Sequence, residues 1–185
     1  IGNIVREEII NLNFSSRKVN MTNGIKILVL GGSQAAKVFA EKLPKIFIKF
    51  KNSNIPIKVY QQCQKNQNEQ LSQFYQKAKI DHKIFNFTEK IVDYYSKVNL
   101  VITRSGASVL GELVNVNVPF ISIPLPTSAD NHQYKNAEFY QKKGCGYLLE
   151  EKDINCKLYD LIVNIFKDQS LVENVLLSQR QYSDK

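Results

Sequence analysis

At 185 residues the chain is long enough for one domain with a sizeable core, and its 43% apolar content is ordinary for a globular protein. No apolar run would span a bilayer and nothing at the N-terminus reads as a signal peptide; Cys63, Cys145 and Cys156 lack CxxC spacing, which points away from a zinc site or disulfide framework and toward a reducing cytoplasm. The net charge of +8 comes from lysines spread over presumed helix surfaces, so a solvated basic surface is favoured and no nucleic-acid partner is expected.

Residues 1–24 read as a lead-in. IGNIVREEIINL passes from a turn into a short helical pattern with Arg6 at its start, and NFSSRKVNMTNG reads as a surface loop. The chain starts at Ile1 rather than Met and reads as a piece of a longer protein. Ile25 to Leu30 is the first strand, and Gly31-Gly32 break it. Ser33 and Gln34 open a helix running to Phe50, with Val38, Phe39, Leu43, Ile46, Phe47 and Phe50 as its apolar stripe; Pro44 predicts a kink or a division there.

Ile57 to Gln62 reads as a second strand and Gln67 to Lys79 as an amphipathic helix. A third strand is expected over Lys83 to Phe87, a short helix over Glu89 to Val98, and a fourth strand over Leu100 to Thr103. Ala107 to Val116 follows as a helix and Pro119 to Leu125 as a fifth strand. Asp130 or Asn131 is placed to cap a helix that runs to Lys143, with Gly144 ending it. Tyr147 to Leu149 is a sixth strand, and two helical patterns lie around Leu158 to Phe166 and Leu171 to Gln179. Short apolar strands alternating with helices predict an α/β, Rossmann-like domain with a parallel sheet covered on both faces. The core is expected over residues 25–152, with C-terminal helices over 153–185 in the same single domain.

In such sheets a ligand lies beyond the carboxyl ends of the strands, so three loops should converge: Gly31 to Ala36, Arg104 to Ala107 and Leu125 to Gln133. A glycine turn opening a helix suits an anion, because the first backbone N–H groups lack partners and the helix dipole is positive there. Ser108 and Glu112 stand four apart on one helix face; a carboxylate there can accept from a pair of sugar hydroxyls or simply sit well with the dipole. His132 and Asn136 are also four apart, with Gln133 beside them, which suggests hydroxyl reading more than base chemistry. His82 reads as structural. No His/Cys/Asp/Glu set has metal-ligand spacing and no DxD occurs, so no metal is expected.

Taken together, GGSQAA, TRSGASVLGE, PLPTSADNHQYKNA and GNIVR at Gly2 to Arg6 resemble the C-terminal half of the MurG family, bacterial glycosyltransferases that add N-acetylglucosamine to undecaprenyl-diphospho-muramoyl-pentapeptide (lipid I) to give lipid II. The resemblance implies a two-domain GT-B architecture with this chain as the donor half, UDP-N-acetylglucosamine as donor, inversion at the anomeric carbon, and no cofactor or essential metal. It places Gly31, Gly32, Ser33 and Gln34 at the donor diphosphate and Arg6 at the donor cleft. Phe87 and Thr88 fall at the uracil, Ala107 and Ser108 in the donor pocket, and Glu112 at the ribose hydroxyls. His132, Gln133 and Asn136 fall at the N-acetylglucosamine hydroxyls. Ala35, His132 and Ile4 stand where the family has Gly, often Gln, and Pro. The family's N-terminal half binds the lipid acceptor at the cytoplasmic membrane surface and supplies the base, so this fragment is expected to bind donor without transferring it. A stand-alone nucleotide-sugar-binding subunit, working with a separate membrane partner, is the competing reading. A nicotinamide oxidoreductase is disfavoured: the turn lacks GxGxxG spacing and no acidic residue ends the second strand.

Overall fold

The computed structural model describes residue 9 and residues 18–183, with residues 33–36 described in their backbone only. Six parallel strands form one sheet: β1 Ile25–Leu30, β2 Ile57–Gln62, β3 Asp81–Phe85, β4 Leu100–Thr103, β5 Phe120–Ser122 and β6 Tyr147–Leu148. Their spatial order is β3-β2-β1-β4-β5-β6. The chain therefore works outward from β1 in one direction and, after β3, returns to add β4 on its other side. That reversal opens a crevice beyond the carboxyl ends of β1 and β4.

The helices are α1 Gly32–Asn52, α2 Asn68–Lys77, α3 Ile91–Tyr95, α4 Ala107–Asn115, α5 His132–Lys142, α6 Ile154–Lys167 and α7 Gln169–Tyr182. Alternation along β1 divides them between two cores. Ile25, Ile27 and Val29 face a cluster with Phe39, Phe47 and Phe50 of α1, Leu71 and Tyr75 of α2, and Leu158 and Ile162 of α6. Leu28 and Leu30 face the other cluster, with Ile91 and Tyr95 of α3, Leu110 and Leu113 of α4, and Tyr140 of α5. A period of two in the strand thus makes a sheet covered on both sides.

Three expectations change. Of the kink or division expected at Pro44, the division does not occur: α1 runs 21 residues with the proline inside it. The missing N–H at Pro44 costs one helical hydrogen bond, and the fully buried Phe39, Leu43, Phe47 and Phe50 on either side hold the helix through it. The third strand lies two residues earlier than expected, because its register is set by pairing Lys58↔Asp81 through Gln62↔Phe85. The Lys58–Asp81 ion pair at 2.8 Å marks the start of that register. Phe87 therefore leaves the sheet for the loop beyond it. Finally, α5 starts at His132 after a single 3-10 turn over Ala129–Asn131, and its N-cap Asn131 is left-handed (φ 56°) with no side-chain cap bond. Gly144 does end it, at φ 70°. The lead-in helix falls outside the described residues except for Ile9, which is helical and buried.

β5 passes close to the turn before β6. A Cβ at Gly146 would lie 2.3 Å from the ring of Phe120, which is fully buried. Gly146→Ala is expected to destabilise the domain by about 1–3 kcal/mol through overpacking, read as a lower denaturation midpoint with an unchanged slope.

Candidate functional site

A cleft of about 470 Å³ opens beyond the carboxyl ends of β1 and β4, at the reversal point of the sheet. Its floor is the end of those two strands, at Leu30, Thr103 and Arg104. The amide of Arg104 donates to the Leu30 carbonyl at 3.4 Å, which carries the ladder to the edge of the cleft.

Gly31 and Gly32 form one wall. Gly32 has φ +59°, and a Cβ there would meet nothing within 4 Å, so glycine is required for its backbone angle and not for space. It starts a 21-residue helix with no acidic residue in its first turn. The positive end of that dipole is therefore left uncompensated by its own first turn and faces the cleft. Ser33 and Gln34 belong to this first turn by backbone; their side chains lie outside what the structure describes.

The opposite wall is α4, with Ser108 and Glu112 lining the cleft. Glu112 is only 4% exposed. The Tyr95 hydroxyl of α3 donates to its Oε2 at 3.2 Å. Phe87 and Thr88 stand at the rim between β3 and α3, with Phe87 78% exposed. That rim is tied to β2: Gln62 Nε2 donates to the Asn86 carbonyl at 3.0 Å and Asn86 Nδ2 to the Cys63 carbonyl at 2.9 Å.

The third loop arrives with Gln133, whose Oε1 accepts from Leu125 N at 2.9 Å and Ser105 N at 3.3 Å. One amide oxygen thereby clips the loop after β5 to the loop after β4. Gln133 lines the cleft, and with Oε1 engaged, donation from its amide nitrogen is what it can offer a ligand. Asn136 lies behind it and donates Nδ2 to the Ser105 carbonyl at 3.0 Å. His132 is exposed and its Nδ1 lies 2.8 Å from the Ala129 carbonyl. The cleft thus gathers Gly31, Gly32, Phe87, Thr88, Ser108, Glu112 and Gln133; Ala107, His132 and Asn136 stand just outside its lining, and Arg6 lies outside the described residues.

Two residues of the site carried no role in the sequence reading. Tyr95 is one. Arg104 is the other: it is 7% exposed and gives Nη1 to the carbonyls of Ile123 and Pro124, both at 3.2 Å, and Nη2 to the Glu151 carboxylate. Its guanidinium also lies 4.6 Å from the centre of the Phe39 ring on α1. The available signal was an arginine directly after the apolar run LVIT, since a charge so placed needs partners. Among the described residues no group of His, Cys, Asp and Glu could hold a metal ion. Burial raises the Cys63 thiol and pushes that of Cys145 up to about 11, so neither is a ready nucleophile at neutral pH.

A doubly wound parallel sheet with such a cleft at its reversal point is a Rossmann-like α/β fold, the architecture of the C-terminal half of a GT-B glycosyltransferase. The crystal structure of Acinetobacter baumannii MurG superposes with a TM-score of 0.76 at 25% identity, over 86% of this chain and 48% of that one. The model of the glycosyltransferase family 28 C-terminal domain matches residues 26–176, and the chain belongs to that family. Two relatives are both UDP-N-acetylglucosamine–N-acetylmuramyl-(pentapeptide) pyrophosphoryl-undecaprenol N-acetylglucosamine transferases. That of Pelagibacter ubique (strain HTCC1062) is 37% identical over 163 residues, 86% of this chain and 46% of the relative. That of Rickettsia bellii (strain RML369-C) is 32% identical over all of this chain and 54% of the relative. The chain spans about half the length of these relatives.

Proposed function

We propose that this chain is the donor-binding half of an inverting glycosyltransferase that moves N-acetylglucosamine from UDP-N-acetylglucosamine to the muramoyl 4-hydroxyl of lipid I, giving lipid II for peptidoglycan. The observation that carries the reading is the cleft itself: a helix N-terminus with no acidic residue in its first turn, behind a glycine turn, on one wall and a buried carboxylate on the other. The two walls match the two ends of a nucleoside diphosphate, anionic at the phosphates and hydroxyl-bearing at the ribose. The activity printed for the relatives supplies the sugar and the acceptor.

In this reading the acceptor oxygen attacks the anomeric carbon as the bond from that carbon to the diphosphate breaks. The UDP leaves with the bonding electron pair. Gly31, Gly32 and the start of α1 lower the barrier by stabilising the charge that gathers on the diphosphate. Ser33 and Gln34 complete that turn. Glu112 accepts from the ribose hydroxyls, Phe87 and Thr88 meet the base, and Ser108 lines the pocket with Ala107 beside it. Gln133 donates to the sugar, with His132 and Asn136 beside it, and Arg6 is a further proposed donor contact. The proton of the acceptor hydroxyl goes to a base that this chain does not supply. We place acceptor binding in a segment corresponding to the part of the relatives that this chain does not cover. Lipid-linked acceptor puts the reaction at the inner face of the cell membrane. We place the protein peripherally on that face; among the described residues no helix is long and apolar enough to cross a membrane.

The test is calorimetric titration of the chain with UDP-N-acetylglucosamine, UDP-N-acetylgalactosamine, UDP-glucose and NAD. The first is expected to bind most tightly and NAD not at all. Equal affinity for UDP-glucose would remove the sugar-reading role of Gln133, and preference for NAD would remove the whole reading. Gln133→Ala is expected to cost more than the sugar contact alone, because two loops lose their shared acceptor: about 1–3 kcal/mol of stability in a melting experiment, together with weaker donor binding.

A further inference from the structure

We infer that Tyr95 is a positioning residue that aims the Glu112 carboxylate, and so sets how strongly the cleft prefers a ribose bearing both hydroxyls; this rests on the nucleotide reading above. The two side chains come from different helices, α3 and α4, 17 residues apart, and both are almost wholly buried, at 1% and 4% exposure. Both line the cleft. A carboxylate only accepts, so the phenol is the donor in the 3.2 Å contact. A carboxylate withdrawn from water is costly unless hydrogen-bonded, and a Glu side chain has three rotatable bonds with which it can turn. The Tyr95 ring is packed with Ile91, Val98, Leu110 and Leu113, so its hydroxyl has one place to be. It therefore fixes one oxygen of Glu112. One phenolic bond takes one of about four lone-pair directions of a carboxylate.

The position of Tyr95 in the chain adds a second consequence. Phe87 and Thr88 lead directly into α3, and Ile91 in its first turn also lines the cleft. The segment that meets the base of the ligand and the carboxylate that meets its ribose are thus joined through one buried hydroxyl. Base and ribose recognition should be coupled.

The experiment uses the whole chain with UDP and 2′-deoxy-UDP as probes, in wild type, Tyr95→Phe, Glu112→Gln and the double variant. Phenylalanine keeps the buried ring and removes only the hydroxyl, and circular dichroism melting verifies the fold of each protein. Tyr95→Phe is expected to weaken UDP binding about three- to tenfold, as loss of one hydrogen bond does. It should leave 2′-deoxy-UDP within about twofold, so that the ratio between the two nucleotides shrinks. In the Glu112→Gln background the same change should have little effect. An unchanged UDP to 2′-deoxy-UDP ratio in Tyr95→Phe, or a strictly additive double variant, overturns the positioning role while leaving the nucleotide reading intact. Wild-type protein that binds neither nucleotide overturns both.

Discussion

Glu112→Gln is expected to weaken UDP-N-acetylglucosamine binding by roughly 10- to 150-fold while leaving the melting temperature nearly unchanged. The size follows from the worth of a hydrogen bond to a charged group, about 1.5–3 kcal/mol, converted to a ratio of dissociation constants. The separation of binding from stability follows from geometry. Glutamine is isosteric with glutamate, and its amide oxygen can still accept from the Tyr95 hydroxyl, so the contact between α3 and α4 survives. The amide nitrogen, however, presents donors where ribose hydroxyls would donate, and at 4% exposure water cannot fill the gap. Removing the buried charge also lifts the desolvation cost of a carboxylate, which opposes folding. Titration beside a thermal melt checks both halves. Full donor affinity in Glu112→Gln would mean that the ribose lies elsewhere in the cleft.

Where this site could be read in the sequence, the reading came from local pattern. The glycines after the apolar run IKILVL, the RSGA turn and the amide-rich start of α5 each announce themselves within a few residues, and the parallel α/β order then puts their loops at one rim. β1 and β4 lie where the apolar runs lie, because each is central in the sheet. β3 is an edge strand, exposed at Asp81 and Lys83, so its sequence DHKIF carries no continuous apolar signal and only the register with β2 locates it. The partners of Tyr95 and Arg104 were not legible for a different reason. Glu112 is 17 residues from Tyr95 and Glu151 is 47 from Arg104, on elements whose approach is decided by packing. Similarly, the i, i+4 spacing puts His132 and Asn136 on one face, yet it cannot say that Asn136 spends its donor on the Ser105 carbonyl.

Arg104 carries the other large effect. Arg104→Met is expected to destabilise the domain by about 3 kcal/mol or more, which for a chain of this size lowers the melting temperature by roughly 6–12 °C. Methionine fills much of the same volume and can still lie against Phe39, so the loss reports the polar contacts rather than a cavity. Two carbonyls after β5, those of Ile123 and Pro124, lose their donor, and the Glu151 carboxylate, with its side chain 20% exposed, loses its cation. Arg104→Lys should recover only part of this, since one ammonium cannot reproduce the fork that meets the carbonyls and the carboxylate at once. Glu151→Gln should cost less than Arg104→Met, because it leaves the carbonyl contacts in place. The same brace ties α1, through Phe39, to the loop after β5, and these flank the cleft on two sides. Donor affinity should therefore fall with stability in the Arg104 variants, whereas in Glu112→Gln it falls alone. If Arg104→Met melts with the wild type, the charge is idle in the fold, and the cleft must owe the meeting of its loops to Gln133 and the strand ladder instead.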